Sequence, residues 1–200
     1  AKADIIVNGK SVATMNGAAV SLSKQQLGNG SVQINTSGNG AVYYWWQVQG
    51  VSLSGDYVEA DNYLKVRRQF FSRNGSPISG TTFRQNDLIV VRVTVEKSYS
   101  DAIDNVVTTD ILPAGFEIEN SRIREIPGMD WIKDASTPQQ LDMRDDRVNF
   151  YDDIYGKRTY YYAVRAVSPG VYRMGPVSSQ AMYNGGMNSF NGAGKIEIVP

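Results

Sequence analysis

The sequence predicts an all-β chain: an antiparallel β-sandwich preceded by a partial β-sandwich of four or five strands. Three observations carry that expectation. Nineteen glycines and twelve tyrosines, with many Val, Ile and Thr, make a composition suited to pleated strands joined by frequent turns. Asn-Gly pairs punctuate the chain at Asn8-Gly9, Asn16-Gly17 and Asn74-Gly75. Such pairs are strong hairpin signals, because a tight primed turn needs positive φ at both central residues. The third is the stretch Asn105 to Asn120. Val106, Val107, Thr108 and Thr109 are β-branched and suit a strand. Pro113-Ala114-Gly115 breaks the ladder, proline by removing a donor and glycine by allowing the positive φ of a tight corner. Phe116 and Ile118 then resume the alternation, with Glu117 and Glu119 pointing the other way. A strand, a Pro/Gly corner and a second strand is how a sandwich hands the chain from one sheet to the other.

The totals exclude several functions. Lys plus Arg and Asp plus Glu are 20 each, so no basic excess is present to neutralise a phosphate backbone, which argues against nucleic acid as a partner. No apolar run approaches the ~20 residues of a membrane-crossing helix, so no transmembrane segment is expected. No leader is visible at Ala1-Lys2-Ala3-Asp4, which means either that none exists or that it has been removed. Cysteine and histidine are both absent. Disulfides, thiolate nucleophiles, Cys/His zinc sites and Ser-His-Asp triads go together with them. The expectation is a non-enzyme with no cofactor and no metal.

In the first part, Asp4 to Val7, Ser11 to Met15, Ala18 to Leu22, Ser31 to Asn35 and Ala41 to Val48 read as strands, with turns at Asn8-Gly9, Asn16-Gly17, Gly28 to Gly30 and Ser37 to Gly40. In the last strand Val42, Tyr44, Trp46 and Val48 share one face, and Tyr43, Trp45 and Gln47 the other. Aromatics on both faces predict a central strand or one covered on both sides; a stacking platform for sugars or bases is the alternative. Four or five strands are too few for an independent sandwich, which usually has seven or more. The segment therefore reads as a partial β domain over 1–55, and its unpaired edges invite self-association of residues 1–53 with a second copy.

A polar stretch, Ser52 to Ala60, reads as the linker. The second domain spans 56–200. Leu64, Val66, Arg68 and Phe70 share one strand phase; Lys65, Arg67, Gln69 and Phe71 share the other and read as solvent-facing. Arg67-Arg68 reads as a solvated strand face rather than an anion site. Ile89, Val91, Val93 and Val95 form a continuous apolar face with Arg92 and Thr94 opposite. Residues 122–135 read as irregular, with Pro127-Gly128 turning and Trp131 pinning the loop to the sandwich. Pro138 to Leu141 suggests one helical turn. Val148 to Tyr151 and Arg158 to Val167 read as strands, Pro169-Gly170 as a tight hairpin into Val171 to Met174, and Lys195 to Val199 as the closing strand. Seven to nine strands are expected after residue 60.

Three constellations invite a chemical reading. Asp142, Asp145, Asp146, Asp152 and Asp153 form the one acidic cluster. Calcium or glycosidic cleavage would use such carboxylates. The D-x-D-x-D-G pattern is missing, however, and Arg144 and Arg147 sit among the aspartates, which favours local ion pairing. Asn29-Gly-Ser31, Asn35-Thr-Ser37 and Asn74-Gly-Ser76 match the glycosylation pattern at the rate chance would give. The loop Asn184 to Gly194 follows Met182-Tyr183 and contains Met187 and Phe190. Methionine and aromatics on a mobile loop suit an interaction surface, so Met182, Tyr183, Met187 and Phe190 are the candidates. The alternative is a long hairpin connection that tucks those side chains inward.

Four motifs in order, Leu112-Pro-Ala-Gly-Phe-Glu-Ile-Glu-Asn120, Asp142-Met-Arg-Asp-Asp-Arg-Val148, Tyr162-Ala-Val-Arg-Ala-Val-Ser-Pro-Gly170 and Ala181-Met-Tyr183 with Gly192-Ala-Gly194, resemble the C-terminal macroglobulin-like domain of bacterial α2-macroglobulins. Asp4 to Val51, with Val-Asn-Gly and Val-Tyr-Tyr, resembles the segment that joins the thioester domain to that last domain and completes a CUB-like sandwich. The resemblance implies a macroglobulin/immunoglobulin-like sandwich. It also implies a non-catalytic role in a protease inhibitor of the bacterial periplasm, cell envelope or exterior. The implied partners are the thioester domain of the parent chain and, through the full-length protein, proteases. The trap's Cys-Leu-Glu-Gln motif is absent from these residues, so the chain is a part of such a protein or a relative without the trap. Val-Thr-Thr-Asp-Ile-Leu-Pro-Ala-Gly-Phe is also similar to immunoglobulin-like repeats of bacterial surface adhesins, over about 20 residues. That is the alternative function.

Overall fold

The computed structural model describes residues 2–15, 17–28, 30–45, 47, 57–119 and 128–200. The chain divides into two compact units, Ala1–Val51 and Ser52–Pro200.

In the first unit, β1 (Lys2–Val7), β2 (Lys10–Met15) and β3 (Val32–Ser37) form an antiparallel sheet in the order β2-β1-β3. Asn8 and Gly9 have φ of 50° and 77°, as the hairpin between β1 and β2 requires. Ala3, Ile5 and Val7 bury one face of β1. The four or five expected strands reduce to three among the described residues. Ala18 to Leu22 takes no strand, and both edges of β1 are already occupied. Beyond it Ser23 opens the short helix α1 (Lys24–Leu27) with a capping box, in which Gln26 Oε1 accepts from the Ser23 N–H at 2.9 Å. Ala41 to Trp45 is not a strand either. Gly38 and Gly40 take φ of 93° and 108° and turn the chain off the sheet. Tyr43 and Trp45 are 94% and 81% exposed, so the doubly covered aromatic strand is overturned over those residues. Trp46, Val48, Asn16, Asn29 and the linker at 52–56 lie outside the described residues.

In the second unit two sheets face each other. One contains β5 (Leu64–Ser72), β6 (Pro77–Ile78), β8 (Leu88–Lys97), β10 (Phe116–Ile118) and β13 (Arg158–Ala166), in the order β10-β13-β8-β5-β6. The other contains β4 (Ala60–Asn62), β9 (Ile103–Ile111), β11 (Gln140–Arg144), β12 (Arg147–Ile154), β15 (Val177–Ala181) and β16 (Asn184–Asn191), in the order β11-β12-β9-β15-β16-β4. A small third sheet holds β14 (Gly170–Met174), β17 (Gly194–Val199) and β7 (Thr82–Arg84), with β7 and β17 parallel. That makes fourteen strands among the described residues where seven to nine were expected, because several edge strands have only two or three residues.

Leu64, Val66, Ile89, Val91, Val93 and Val95 are fully buried between the two large sheets, together with Tyr160, Tyr162 and Val164 of β13. The alternation read from the sequence thus sets the core face of β5 and β8. The opposite face is covered too. Phe71, Val90 and Ala163 pack under Met129 and Ile132, and the Trp131 ring lies against Phe71 and Tyr161. Trp131 Nε1 donates to the Arg73 carbonyl at 3.0 Å, so this residue does pin the loop. Phe71, expected in solvent, is buried because that loop folds over it.

The corner behaves as expected: β9 belongs to the six-stranded sheet, β10 to the five-stranded one. The role of its glycine differs from expectation. Gly115 does not use positive φ; a Cβ there would lie 2.4 Å from the Tyr172 ring and 2.6 Å from Ile198 Cδ1. The corner needs space, since the third sheet packs on it.

Three further expectations are corrected. Residues 138–141 form no helical turn; β11 begins at Gln140 and pairs with β12. Pro169-Gly170 makes no hairpin between β13 and β14, because β14 leaves the large sheet to pair with β17. The supposed loop from Asn184 is largely β16, held between β15 and β4. Pairing on both sides outweighs the poor strand propensity of Gly and Asn. Residues 120–127, including the Pro127 turn, lie outside the described residues.

Gly115→Ala should therefore overpack the corner and destabilise the chain by roughly 1–3 kcal/mol, read as a lower urea midpoint with an unchanged slope.

Candidate functional site

The four candidate residues do not make one surface. Ala181 pairs with Asn184, so Met182 and Tyr183 are the two-residue loop of the β15–β16 hairpin. Tyr183 is 86% exposed and Met182 46%. Met187 packs partly buried against the core, in phase with the fully buried Ser189. Phe190 falls in the opposite phase and lines a hollow of about 50 Å³ with Tyr57, Glu59 and Pro176. The reason lies in the strand itself: alternation sends neighbouring side chains to opposite faces, which a loop would not.

The tip is exposed but held. The Met182 N–H donates to the Asn105 carbonyl at 2.9 Å. Asn105 has φ of 53° and its N–H donates to Asp153 Oδ1 at 2.7 Å, while Gln139 Nε2 donates to Oδ2 at 2.8 Å. The Asn105 N–H first, then Gln139, holds the Asp153 carboxyl below its ordinary range. Three more large side chains are exposed at the same end of the sandwich. Tyr63 and Tyr99 meet edge-on at 5.7 Å, and Tyr155 follows β12. The register puts them together: Ile154 pairs with Ile103, Ala181 with Val106, and Tyr63 bridges Asn188. Strands lie ~4.8 Å apart, so the row from β12 to β4 is ~19 Å long.

The aspartates do not converge. Asp142 pairs with Arg144 at 2.9 Å, and Asp146 with Arg147 at 2.6 Å. The buried Asp152 accepts from the Tyr160 hydroxyl at 2.8 Å, with Arg158 Nε at 3.3 Å in poor hydrogen-bond geometry. Burial, then Asp152, raises the Tyr160 hydroxyl above its ordinary value and keeps it a donor. Among the described residues no three or more His, Cys, Asp or Glu are placed to share a metal ion. A hollow of about 770 Å³ lies toward the other end of the strands near Asn74 and Asp87. Its Arg165 is engaged by Glu119 at 3.0 Å and the Asn86 carbonyl at 2.9 Å.

Residues 64–185 match the bMG10 family, described as the bacterial alpha-2-macroglobulin MG10 domain. The chain belongs to that family. Curated relatives include the α2-macroglobulin of Rickettsia conorii, 26% identical over 177 residues and matched over 86% of this chain but 9% of that protein. That of Xylella fastidiosa strain Temecula1 is 28% identical, covering 82% of this chain and 10% of that protein. The chain thus spans about a tenth of the length of the curated relatives it matches. Among solved structures, a Y1175G mutant of Salmonella α2-macroglobulin has a TM-score of 0.63 at 26% identity, over 74% of this chain and 10% of that one. The native conformation of E. coli α2-macroglobulin has a TM-score of 0.68 at 22% identity, over 100% of this chain and 13% of that one, a likeness of fold.

Within this macroglobulin domain, sequence reasoning missed two groups. Tyr63, Tyr99 and Tyr155 sit at strand ends with no periodic signal; the register alone collects them. Arg68 was read with Arg67 as solvated. Arg67 is: it pairs with Asp61 at 2.6 Å, its side chain 35% exposed. The Arg68 side chain is 3% exposed and pairs with the fully buried Asp110 of the facing sheet. Its phase, shared with Leu64, Val66 and Phe70, was the available clue.

Asp61 anchors the short edge strand β4, accepting from Arg67 and from Ser189 Oγ at 2.7 Å. Its pKa is lowered from 3.8 to about 2, mainly by the Arg67 hydrogen bond. A depressed folded pKa gives stability that is present above the unfolded value and lost as pH falls through the folded one. Asp61→Asn should therefore lower stability near neutral pH, and its deficit against the wild type should shrink between about pH 4 and about pH 2, measured by urea unfolding across that range.

Proposed function

We propose that this domain is a non-catalytic docking module of a longer bacterial α2-macroglobulin polypeptide. In this reading it packs on the thioester domain through the sandwich end that carries Met182 and Tyr183, and shields the thioester from water and small amines. The observation that carries it is a two-residue loop tied down through the Met182 N–H and yet presenting Tyr183 almost wholly to solvent. An exposed aromatic on a rigid support loses little entropy on docking and suits an interface anchor. Tyr63, Tyr99 and Tyr155 would extend the contact along the same end.

The thioester cysteine would lie elsewhere in the polypeptide, since these 200 residues contain no cysteine. The Salmonella protein has been solved reacted with methylamine, which makes that amine a natural probe. The full-length protein would act as a protease inhibitor in the periplasm, cell envelope or exterior of a bacterium. Residues 1–55 would be part of a CUB-like domain with strands supplied from elsewhere in the polypeptide. No observation favours the adhesin alternative.

In the full-length protein, Tyr183→Ala should raise the rate of methylamine uptake roughly tenfold, followed as thiol release; tenfold corresponds to ~1.4 kcal/mol of lost packing. An unchanged rate removes Tyr183 from the shield. A Leu141→Ala control, exposed on edge strand β11, should leave the rate as it was.

A further inference from the structure

The β15–β16 hairpin has two feet, Gly175 before it and Gly192 after it, and one side chain holds both. Arg68 Nη2 donates to the Gly175 carbonyl at 3.0 Å and to the Gly192 carbonyl at 2.6 Å. Nη1 is engaged by the Asp110 carboxylate, whose other oxygen accepts from the Tyr162 hydroxyl at 2.7 Å. Both feet favour glycine, the first through close packing and the second through its backbone conformation. A Cβ on Gly175 would lie 3.0 Å from Ile111 Cβ, and Gly192 has φ of 72°. Between the feet and the tip β15 is paired to β9, but the outer neighbour of β16 is the three-residue β4. The far foot is held instead by side chains: the Gly192 N–H donates to Glu59 Oε1 at 3.0 Å, and the guanidinium reaches its carbonyl.

We propose that Arg68 is the positioning residue of the Met182–Tyr183 tip, acting through the two feet of its hairpin. The planar guanidinium fixes the separation of the Gly175 and Gly192 carbonyls, and Asp110 and Tyr162 stop that plane from rotating. Its consequence for shielding rests on the docking function proposed above, whereas the clamp itself is testable in this chain alone.

Two variants avoid the ambiguity of a misfolded protein. Arg68→Lys keeps a charge opposite Asp110, but a single ammonium does not reproduce the fork. Arg68→Met with Asp110→Asn removes both charges and leaves an acceptor for Tyr162, so no buried charge is stranded. Native-state hydrogen exchange should show the Met182 amide and the β16 amides exchanging at least tenfold faster in both variants, with the Val91 and Val164 amides unchanged. Uniform acceleration of all slow amides, or wild-type exchange in Arg68→Lys, overturns the proposal. In the full-length protein, Arg68→Lys should speed methylamine uptake, and adding Tyr183→Ala should give no further increase, since both act through one tip. Local loosening without faster uptake overturns the positioning role while Tyr183→Ala is active. If Tyr183→Ala is also silent, the docking function falls and the clamp stands on the exchange data.

Discussion

One buried ion pair ties the two large sheets together. Arg68 on β5 meets Asp110 on β9 across the core, and Tyr162 on β13 donates to the same carboxylate. Removing two charges from water is costly, and the attraction between them offsets that only when geometry and the remaining hydrogen bonds are good. Here the fork is filled by two carbonyls and a carboxylate, and burial with Asp110 raises the Tyr162 hydroxyl so that it stays a donor. The pair is thus a constraint on register more than a source of stability. A one-residue slip of β5 would turn Arg68 into solvent and strand Asp110 in the core.

From that constraint the sandwich builds outward. β9 carries Asp110 near its C-terminal end and Asn105 near its start, between β12 and β15. Its far end runs into the Pro113–Gly115 corner and crosses to the other sheet. Its near end supplies the carbonyl that accepts the Met182 N–H. The strand that fixes how the sheets meet therefore also fixes where the hairpin tip sits. Polar pairs within the core repeat the same logic on a smaller scale: the Thr108 and Ser179 hydroxyls meet at 2.9 Å, and Ser189 Oγ accepts from the Val66 N–H at 2.9 Å. Each satisfies a group that burial would otherwise penalise.

The parts of this fold that were legible share one property: their signal is local. The phase of Ile89, Val91, Val93 and Val95 is visible because every second residue is apolar, and the Asn8-Gly9 turn because few other pairs accept two positive φ values. Trp131 was legible as a pin because a lone Trp in a polar loop needs a surface to cover. Where the reading failed, the deciding contact was distant. β16 is a strand because β15 and β4 pair with it, against the preference of Gly185, Gly186 and Asn188. Ala41 to Trp45 is not a strand, although its residues prefer one, because Gly38 and Gly40 turn the chain away from β3. Gly115 was read as a φ residue and is a space residue, since Tyr172 and Ile198 arrive from more than 50 positions later.

The amino-acid order alone determined an all-β chain without cysteine or histidine and with a sheet-crossing corner, and it offered Met182, Tyr183, Met187 and Phe190 as interaction candidates. Periodicity and turn chemistry reach that far because they act over a few residues. Only the tertiary structure decided that Met182 and Tyr183 form a hairpin tip while Met187 turns inward, that Arg68 is buried rather than solvated, and that Tyr63, Tyr99 and Tyr155 share the tip's end. Those outcomes depend on which strands lie side by side, and strand pairing is settled by the burial of the whole core rather than by any one segment of it.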